Sequence, residues 1–420
     1  MLKLAVLFGG LSNEHSISLL SSASILRNVD RNKYDLAVIG ITRDGAWFLY
    51  ENADPDKIES GAWEKEPGLR RTLLSPDRSI HGIFLPDTGE TMRIDVCFPV
   101  LHGMGGEDGT MQGLLTLAGI PFVGPGVAAS ANSMDKSLTK IIVDTTGVRQ
   151  ADYYIALRPD YEKDAQAVAR AAAEKLKNTY PMFVKPCSSG SSVGVARADD
   201  FDTLVSGLAE AFRWDTKVLV EEFIDGHEVE CAVLGNIDPV ASTVGEIAPT
   251  QTFYTFDAKY NDETSALYIP AHISEEAIET VRKNAVRVYT ALGCRGLSRV
   301  DFFCTYQDNE IVFNEINTIP GFTSISMYPK LFEHAGLSYP ALIDRLIELA
   351  LELCVPGKPL DPSPRVCYHG IYEIKEVAVW RTRKKQRNRC RCVCPLPCIA
   401  KSHSGPRTTS ARSTARSSSC

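Results

Sequence analysis

The sequence lacks any apolar run of the roughly 18 residues needed to span a bilayer as a helix. Its longest candidate, LIDRLIELALELCV at 342–355, is interrupted by charges, so no membrane segment is expected. The opening MLKLAVLFGGL is too short and too glycine-interrupted for a secretion signal, and reads as a first strand. Paired metal-type cysteine spacing is missing as well. Of 12 cysteines, five fall in 390–420, where Cys390, Cys392, Cys394 and Cys398 form no C-x₂-C motif, and the others are scattered. That usage fits a reduced cytoplasmic protein with incidental core thiols. There is no P-loop either, because the lone Gly-Lys pair, Gly357-Lys358, runs into Pro359. Finally, residues 381–420 contain eleven Lys or Arg and no acid, so residues 1–380 hold 34 basic and 52 acidic side chains, a balance of −18. An acidic bulk of this kind is not a general nucleic-acid binder.

What is present is a soluble, globular pattern. A chain of 420 residues with 44% hydrophobic content can bury a large core in two or three domains. The start reads α/β: KLAVLFGG is a buried strand, SISLLSSASILRNV an amphipathic helix and YDLAVIGIT a second strand. Residues 45–90 read as an irregular, polar insertion. IDVCFPVLHG is a further strand, ending in the glycine-rich GMGGEDGTMQG. In SMDKSLTKIIVDTTG, Ser133 is the expected N-cap and Gly147 the stop. The stretch PTQTFYTFDAKYNDETSALYIPA is a long loop whose aromatics point to a functional lid. A helix is expected around 274–293 and a closing helix at YPALIDRLIELALEL.

Chemistry concentrates in RVDFFCTYQDNEIVFNEINTIPGF at 299–322. Strand side chains alternate, so Arg299 and Asp301 share one face and Glu315 and Asn317 another, with Asn314 and Ile316 opposite the latter pair. TYQDNE is a turn signal that makes the two strands a hairpin. A solvated sheet face with a salt bridge accounts for any single pair, but not comfortably for four such residues followed at once by TIPGF. Carboxylate and amide oxygens without His or Cys suit Mg²⁺ shared with phosphates. For the phosphates, KPCSSGSSVGV offers Lys185 at a strand end and a small-residue turn whose N–H groups can face an anion. Lys136 and Lys259 add point charges, and VEEFIDGHE offers main-chain polar atoms for a base and Glu228 for a ribose. A nicotinamide reading of GPGVAA at 124–129 fails, because the acid expected about twenty residues on, Asp144, falls within a helix pattern.

Taken in order, LFGGLSNEHSIS, LHGMGGEDGTMQG, SMDK, VKPCSSGSSVG, VEEFIDGHEVE, FDAKY, SRVDFF and NEINTIPGFTSISM closely resemble the D-alanine–D-alanine ligases of the ATP-grasp superfamily, over about residues 3–355. The resemblance implies a three-domain ATP-grasp fold: an N-terminal Rossmann-like parallel-sheet substrate domain at 1–124, a central ATP-grasp subdomain at 125–221, and a C-terminal subdomain with lid and metal site at 222–356. It implies ATP with two Mg²⁺ (or Mn²⁺) held by Asp301, Glu315 and Asn317. Lys136, Lys185 and Ser192 would serve the nucleotide phosphates, with Lys259 on the γ-phosphate and Glu221 and Glu228 at adenine and ribose. Glu14 would anchor the first D-alanine's ammonium, although a carboxylate ahead of a helix is common without any such role. Ser191 and Tyr260 would complete a lid-closing triad with Glu14. Arg299 and the Gly321 amide would stabilise charge at the reacting carboxyl. His102 and Glu107 would place the first substrate, and Ser326 and Met327 the second.

The family's setting implies a cytoplasmic homodimer making peptidoglycan precursors. D-alanine–D-serine and D-alanine–D-lactate ligases share the scaffold, and Tyr260, from which those relatives depart, favours D-alanine. Two features depart from the family. Cys187-Ser188-Ser189 is an unusual entry to the phosphate loop, and the basic, Cys/Ser-rich tail at 357–420 has no counterpart. That tail lacks apolar periodicity and reads as a disordered, frameshifted or spurious extension.

Overall fold

A computed structural model of the chain describes residues 1–190, 193–248 and 266–352; Ser191, Ser192, Lys259, Tyr260 and the tail lie outside the described residues. The chain builds four sheets in order. β1 (Leu2–Gly9) and β2 (Tyr34–Ile41) are parallel, joined through the helix His15–Asn28. β1 is buried from Leu4 to Gly9, as a strand covered on both faces should be. The segment 45–90 is not the irregular insertion expected. After β2 the chain has only Thr42–Ala46 in which to turn, which permits a hairpin but no crossover. β3 (Trp47–Tyr50) and β4 (Leu69–Arg71) therefore add antiparallel to the sheet. β5 (Leu73–Leu74), β6 (Gly82–Leu85) and β7 (Glu90–Arg93) form a small sheet of their own. β8 (Val96–Pro99) then returns parallel beside β1, giving the order β4-β3-β2-β1-β8. Strands of two to four residues are too short for a period to register, which hid this region from the sequence reading.

The second sheet, β11-β10-β12-β9, is antiparallel and comprises β9 (Tyr153–Leu157), β10 (Met182–Pro186), β11 (Ala196–Ala198) and β12 (Lys217–Glu222). Alternation puts Val184, Val218 and Val220 against the helices Ala165–Lys175 and Phe201–Ala211. Lys185 and Glu221 therefore point to the opposite face.

The third sheet, β15-β14-β13-β16-β17, consists of β13 (Gly226–Leu234), β14 (Val240–Ala248), β15 (Ala266–Tyr268), β16 (Leu297–Thr305) and β17 (Ile311–Asn317). One face buries Val229, Cys231, Val300 and Phe302 under the helix Glu275–Ala291. That helix supplies Ala277, Val281, Ala285 and Val288, a spacing that makes one apolar stripe, and Ser274 caps it by accepting from the Ala277 N–H. Each buried valine contributes about 1.5–3 kcal/mol, so this stripe fixes which face remains for polar side chains. The helices Met327–His334 and Tyr339–Glu352 bury Leu331, Tyr328, Leu342 and Leu346 in one core with Leu4, Phe8 and Val96 of the first sheet. Asp344 reinforces that junction, 2.6 Å from Lys33 Nζ and accepting from Tyr34 Oη at 3.0 Å.

The expected cap at Ser133 is corrected. Ser133 lies inside the helix Val127–Met134, and the next helix, Lys136–Asp144, is capped by Asp135, whose carboxylate accepts from the N–H groups of Ser137 and Leu138. Ser and Asp cap about equally well, but Ser133 is still helical, whereas Asp135 is the extended residue at which the chain breaks into two helices. Among the described residues no helix is long and apolar enough to cross a membrane.

Candidate active site

The hairpin comes together as its alternation requires, with one change. In β16 and β17, Arg299 pairs with Asn317 and Asp301 with Glu315. The register then slips, so Phe302 faces Phe313 and Asn314 is the extra residue of a bulge. Asn314 therefore does not lie opposite Glu315 but joins it in lining a pocket with Glu228, Glu230 and Asp301. Arg299 donates through Nε to Asp301 Oδ1 (2.8 Å) and through Nη2 to Oδ2 (2.7 Å), and Nε lies 3.0 Å from Glu230 Oε2. Asn317 donates its amide N–H to Asp301 Oδ2 at 2.8 Å, which leaves its carbonyl oxygen as the group to offer a cation.

Among the described residues no three His, Cys, Asp or Glu side chains gather closely enough to enclose a metal ion. The donors present are two carboxylates and an amide, all oxygen. Such a set fits Mg²⁺, which keeps several ligands for phosphate and water, and does not fit a metal held entirely by protein.

The second sheet supplies the cations. Lys136 opens its helix, and its Nζ donates to the Ser189 carbonyl at 2.8 Å. Its own N–H donates to Cys187 O at 2.9 Å, tying the helix start to the phosphate loop. Asp135 also pairs with Lys217, and Asp215 accepts from the Ser188 N–H at 2.6 Å. The loop is thus anchored from beneath. Lys185 Nζ lies 2.8 Å from Glu221 Oε2, and its pKa is raised: burial opposes that shift, but Glu221, Glu315 and Glu228 outweigh it. The acids of the third sheet thus contribute to the shift of a lysine on the second.

Glu221 is buried, and its second oxygen sits 2.5 Å from Lys140 Nζ. Burial would raise the Glu221 carboxyl, but the two ammonium groups hold it down at about 2. The sequence reading missed Lys140. Its helix buries Ser137, Lys140 and Val143 while Leu138 and Ile141 are exposed, so the apolar pattern gave no signal that Lys140 faces inward. Glu230 was missed too, although it lies two residues after Glu228 on the same strand face.

Glu14 precedes the helix His15–Asn28 at its N-cap position. Its carboxylate occupies a cleft that two glycines leave open. A Cβ on Gly103 would lie 2.5 Å from Glu14 Oε2, and one on Gly190 2.8 Å from the same atom. Gly103 is also held at φ +69, where other residues are strained. Glu14 is thus set directly against the phosphate loop just ahead of Ser191.

His102 and Glu107 are committed to the backbone. His102 is buried, with Nδ1 2.9 Å from the Ile319 carbonyl and Nε2 3.1 Å from Ser21 Oγ; a protonated Nδ1 donating to the carbonyl satisfies both contacts, and burial lowers its pKa. Glu107 accepts from the Gly103 N–H (2.8 Å) and the Ile319 N–H (2.9 Å); burial, then the charge of Glu14, pushes its pKa up. Ser21 Oγ also accepts from the Phe322 N–H at 3.1 Å. These three side chains fix the turn that carries Gly321. Ser326 Oγ would lie 2.8 Å from any Cβ at 321 and accepts from the Thr323 N–H at 3.0 Å; Met327, next in the chain, is buried at the start of its helix.

The comparisons agree with this architecture. The family model described as D-ala D-ala ligase N-terminus matches residues 3–125, and the one described as D-ala D-ala ligase C-terminus matches 142–348. A D-alanine--D-alanine ligase of Acetivibrio thermocellus is 50% identical over 363 residues, covering 83% of this chain and 96% of its own. One from Clostridium novyi is 47% identical over 353 residues, covering 83% and 98%. Among solved structures, the VanG D-Ala:D-Ser ligase of Enterococcus faecalis superposes with a TM-score of 0.76 at 40% identity, covering 83% of this chain and 99% of that one. The D-alanine-D-alanine ligase of Coxiella burnetii gives 0.72 at 33% identity, covering 92% and 100%. With both halves of its ordered core matched and curated relatives at half identity, the chain belongs to the D-alanine–D-alanine ligase family.

Proposed function

We propose that this enzyme joins two D-alanines into D-alanyl-D-alanine at the expense of ATP, for peptidoglycan precursor synthesis in the cytoplasm, as a homodimer. The observation that carries the reading is geometric: Lys185 and Lys136 stand at the phosphate loop, Lys185 2.8 Å from Glu221, and an acidic pocket on the third sheet gathers Glu228, Glu230, Asp301 and Glu315. A carboxylate is a poor acyl donor because oxide is a poor leaving group, and phosphorylation supplies a better one. The first D-alanine's carboxylate oxygen attacks the γ-phosphorus, ADP departs, and an acyl phosphate forms. The second D-alanine's amine then attacks the acyl carbon, loses its proton, and the tetrahedral intermediate expels phosphate.

In this reading 1–124 is the substrate domain, and 125–221 and 222–356 are the two nucleotide-clasping subdomains. Glu14 takes the first ammonium, while His102 and Glu107 hold the 319–322 turn so that the Gly321 N–H and Arg299 meet the developing oxyanion. Ser326 and Met327 border the second carboxylate. Lys136, Lys185 and Ser192 hold phosphates with Lys259 on the γ-phosphate, Glu221 and Glu228 flank adenine and ribose, and Ser191 and Tyr260 close over Glu14. Asp301, Glu315 and Asn317 would hold Mg²⁺ or Mn²⁺, which when bound neutralises charge on the β- and γ-phosphates. Excluding water protects the acyl phosphate, and positioning alone lowers such barriers by about 7–11 kcal/mol.

A D-serine-accepting enzyme is the second reading, favoured by the 40% identity to the VanG D-Ala:D-Ser ligase. Tyr260 and the 50% identity to a D-alanine--D-alanine ligase favour D-alanine. Phosphate release and product analysis with D-alanine, D-serine, D-lactate and L-alanine decide between them. Dominant D-Ala–D-Ser product would replace the proposal, and no ATP turnover with any D-amino acid would end it.

A further inference from the structure

Lys140 is a charge that the reaction scheme above does not use. It lies one helical turn after Lys136, 2% exposed, with its Nζ 2.5 Å from Glu221 Oε1 and 5.8 Å from the centre of the Tyr153 ring. Glu221 is 4% exposed, and its other oxygen is 2.8 Å from Lys185 Nζ. A buried ion pair seldom out-stabilises apolar side chains of the same volume, so packing alone does not explain a second buried ammonium here. Glu221 and Lys185 would already neutralise each other without it.

The charge balance gives Lys140 a purpose. Lysine, glutamate and lysine sum to +1, whereas glutamate and one lysine sum to zero. The Lys140 side chain is enclosed, 3% exposed, while the Lys185 side chain keeps 20% exposure. The surplus charge therefore appears where Lys185 meets solvent. We infer that Lys140 is a positioning residue for nucleotide binding: it shares the charge of Glu221, so that Lys185 is held in place by the glutamate without being neutralised by it. The inference rests on the nucleotide-ligase reading. Burial lowers the Lys140 pKa and the charge of Glu221 opposes that shift, while both lysines contribute to the depressed Glu221 carboxyl, which is consistent with a shared ion pair.

The test uses Lys140→Met, close to isosteric, with Lys140→Arg and the double variant Lys140→Met/Glu221→Gln, each measured by Mg·ADP calorimetry, thermal melting and steady-state kinetics. Removing one unit charge near the phosphates should weaken Mg·ADP binding and raise the ATP KM roughly tenfold. The D-alanine KM and kcat should stay within about twofold, because Arg299 and the 319–322 turn are untouched. Arginine should keep nucleotide affinity near the parent's. The double variant again leaves Lys185 with a net +1 but also removes the Glu221 contact to the base, so it is read with magnesium tripolyphosphate, which carries no base, and should bind that probe close to the parent's affinity. Unchanged Mg·ADP affinity in Lys140→Met, with only a lowered melting point, would reduce Lys140 to a packing role and overturn the inference. So would a double variant that binds magnesium tripolyphosphate as weakly as the single one. Should Lys140→Met prove too unstable to assay, the double variant decides alone: near-parent tripolyphosphate affinity supports the charge account and a tenfold loss rejects it. A parent chain that binds no Mg·ADP would overturn the ligase reading and this inference with it; a parent that binds while Lys140→Met binds equally overturns only the inference.

Discussion

The second and third sheets solve the same problem with opposite signs. Both use one face to bury aliphatic side chains under helices and leave the other face polar. On the second sheet that face holds two ammonium groups around one carboxylate, Lys140 and Lys185 about Glu221. On the third it holds a guanidinium among acids, Arg299 against Asp301 and Glu230, with Glu228 and Glu315 beside them. Among the described side chains one wall carries an excess of ammonium and the other an excess of carboxylate. On the proposed reading the cationic face would meet phosphates and the anionic face a divalent cation. The difference teaches that two sheets built on the same apolar plan can be given opposite tasks by the sign of a few polar-face side chains.

The largest effect should come from the anionic wall. Glu315→Gln removes a charge where cation and triphosphate would meet, and turnover should fall about 10³-fold while the fold persists. Raising the Mg²⁺ concentration should recover part of the loss. Activity near the parent's at ordinary Mg²⁺ would show that the third sheet does not hold the cation. Arg299→Lys should cost less, about 10²-fold in kcat. One ammonium cannot reproduce the fork that grips Asp301 through two nitrogens while facing Glu230. The ATP KM should hardly move; if it rises with kcat unchanged, Arg299 belongs to nucleotide binding and the division between walls is drawn wrongly.

These two residues were legible in the sequence because strand alternation is a rigid rule, and it put Arg299, Asp301, Glu315 and Asn317 on one surface. Asn314 was misplaced because a bulge adds a residue to one strand only, and nothing in IVFNEIN marks it. Lys140 was invisible for a different reason. Whether a helical lysine is solvated or buried depends on what covers it, here Glu221 of a strand some eighty residues later. The committed state of His102 and Glu107 was likewise hidden, since their partners at Ile319 are backbone atoms that no side-chain pattern reports. The strands in 45–90 escaped because each is at most four residues long, too short for a period to register. Long elements and fixed alternation are readable; contacts between distant segments are not.

A milder effect follows from the cationic wall under acid. The Glu221 carboxyl is held at about 2 against an ordinary 4.5. A depressed carboxyl stabilises the folded state fully above 4.5, and that contribution is lost as pH falls from 4.5 through 2. By linkage the contribution is at most about 3 kcal/mol. Glu221→Gln should melt below the parent at pH 7, because the buried Lys140 and the half-buried Lys185 lose their counter-ion. The gap in melting temperature should narrow as both proteins are taken from pH 4.5 towards 2. A gap constant across that window would mean that Glu221 is not the carboxylate the second sheet depends on.

The smallest effect concerns the other basic region. If the cationic wall of Lys136, Lys140 and Lys185, with Lys259 in its proposed role, suffices for the nucleotide, the eleven Lys and Arg of residues 381–420 contribute nothing to its binding. The family-matched stretch ends at 348, and the last motif residues, Ser326 and Met327, lie well upstream. A chain stopped after Lys358 should therefore keep its turnover, its ATP KM and its melting temperature. It should lose any salt-sensitive retention on nucleic acid, since the remaining chain is acidic and only the tail could supply that charge. Both lengths should be purified and compared for turnover, melting, zinc content and elution from a nucleic-acid resin across a salt gradient. An ATP KM that rises on truncation would place basic residues outside the second sheet in the nucleotide site, and the contrast between one cationic and one anionic wall would then have to include a third contributor.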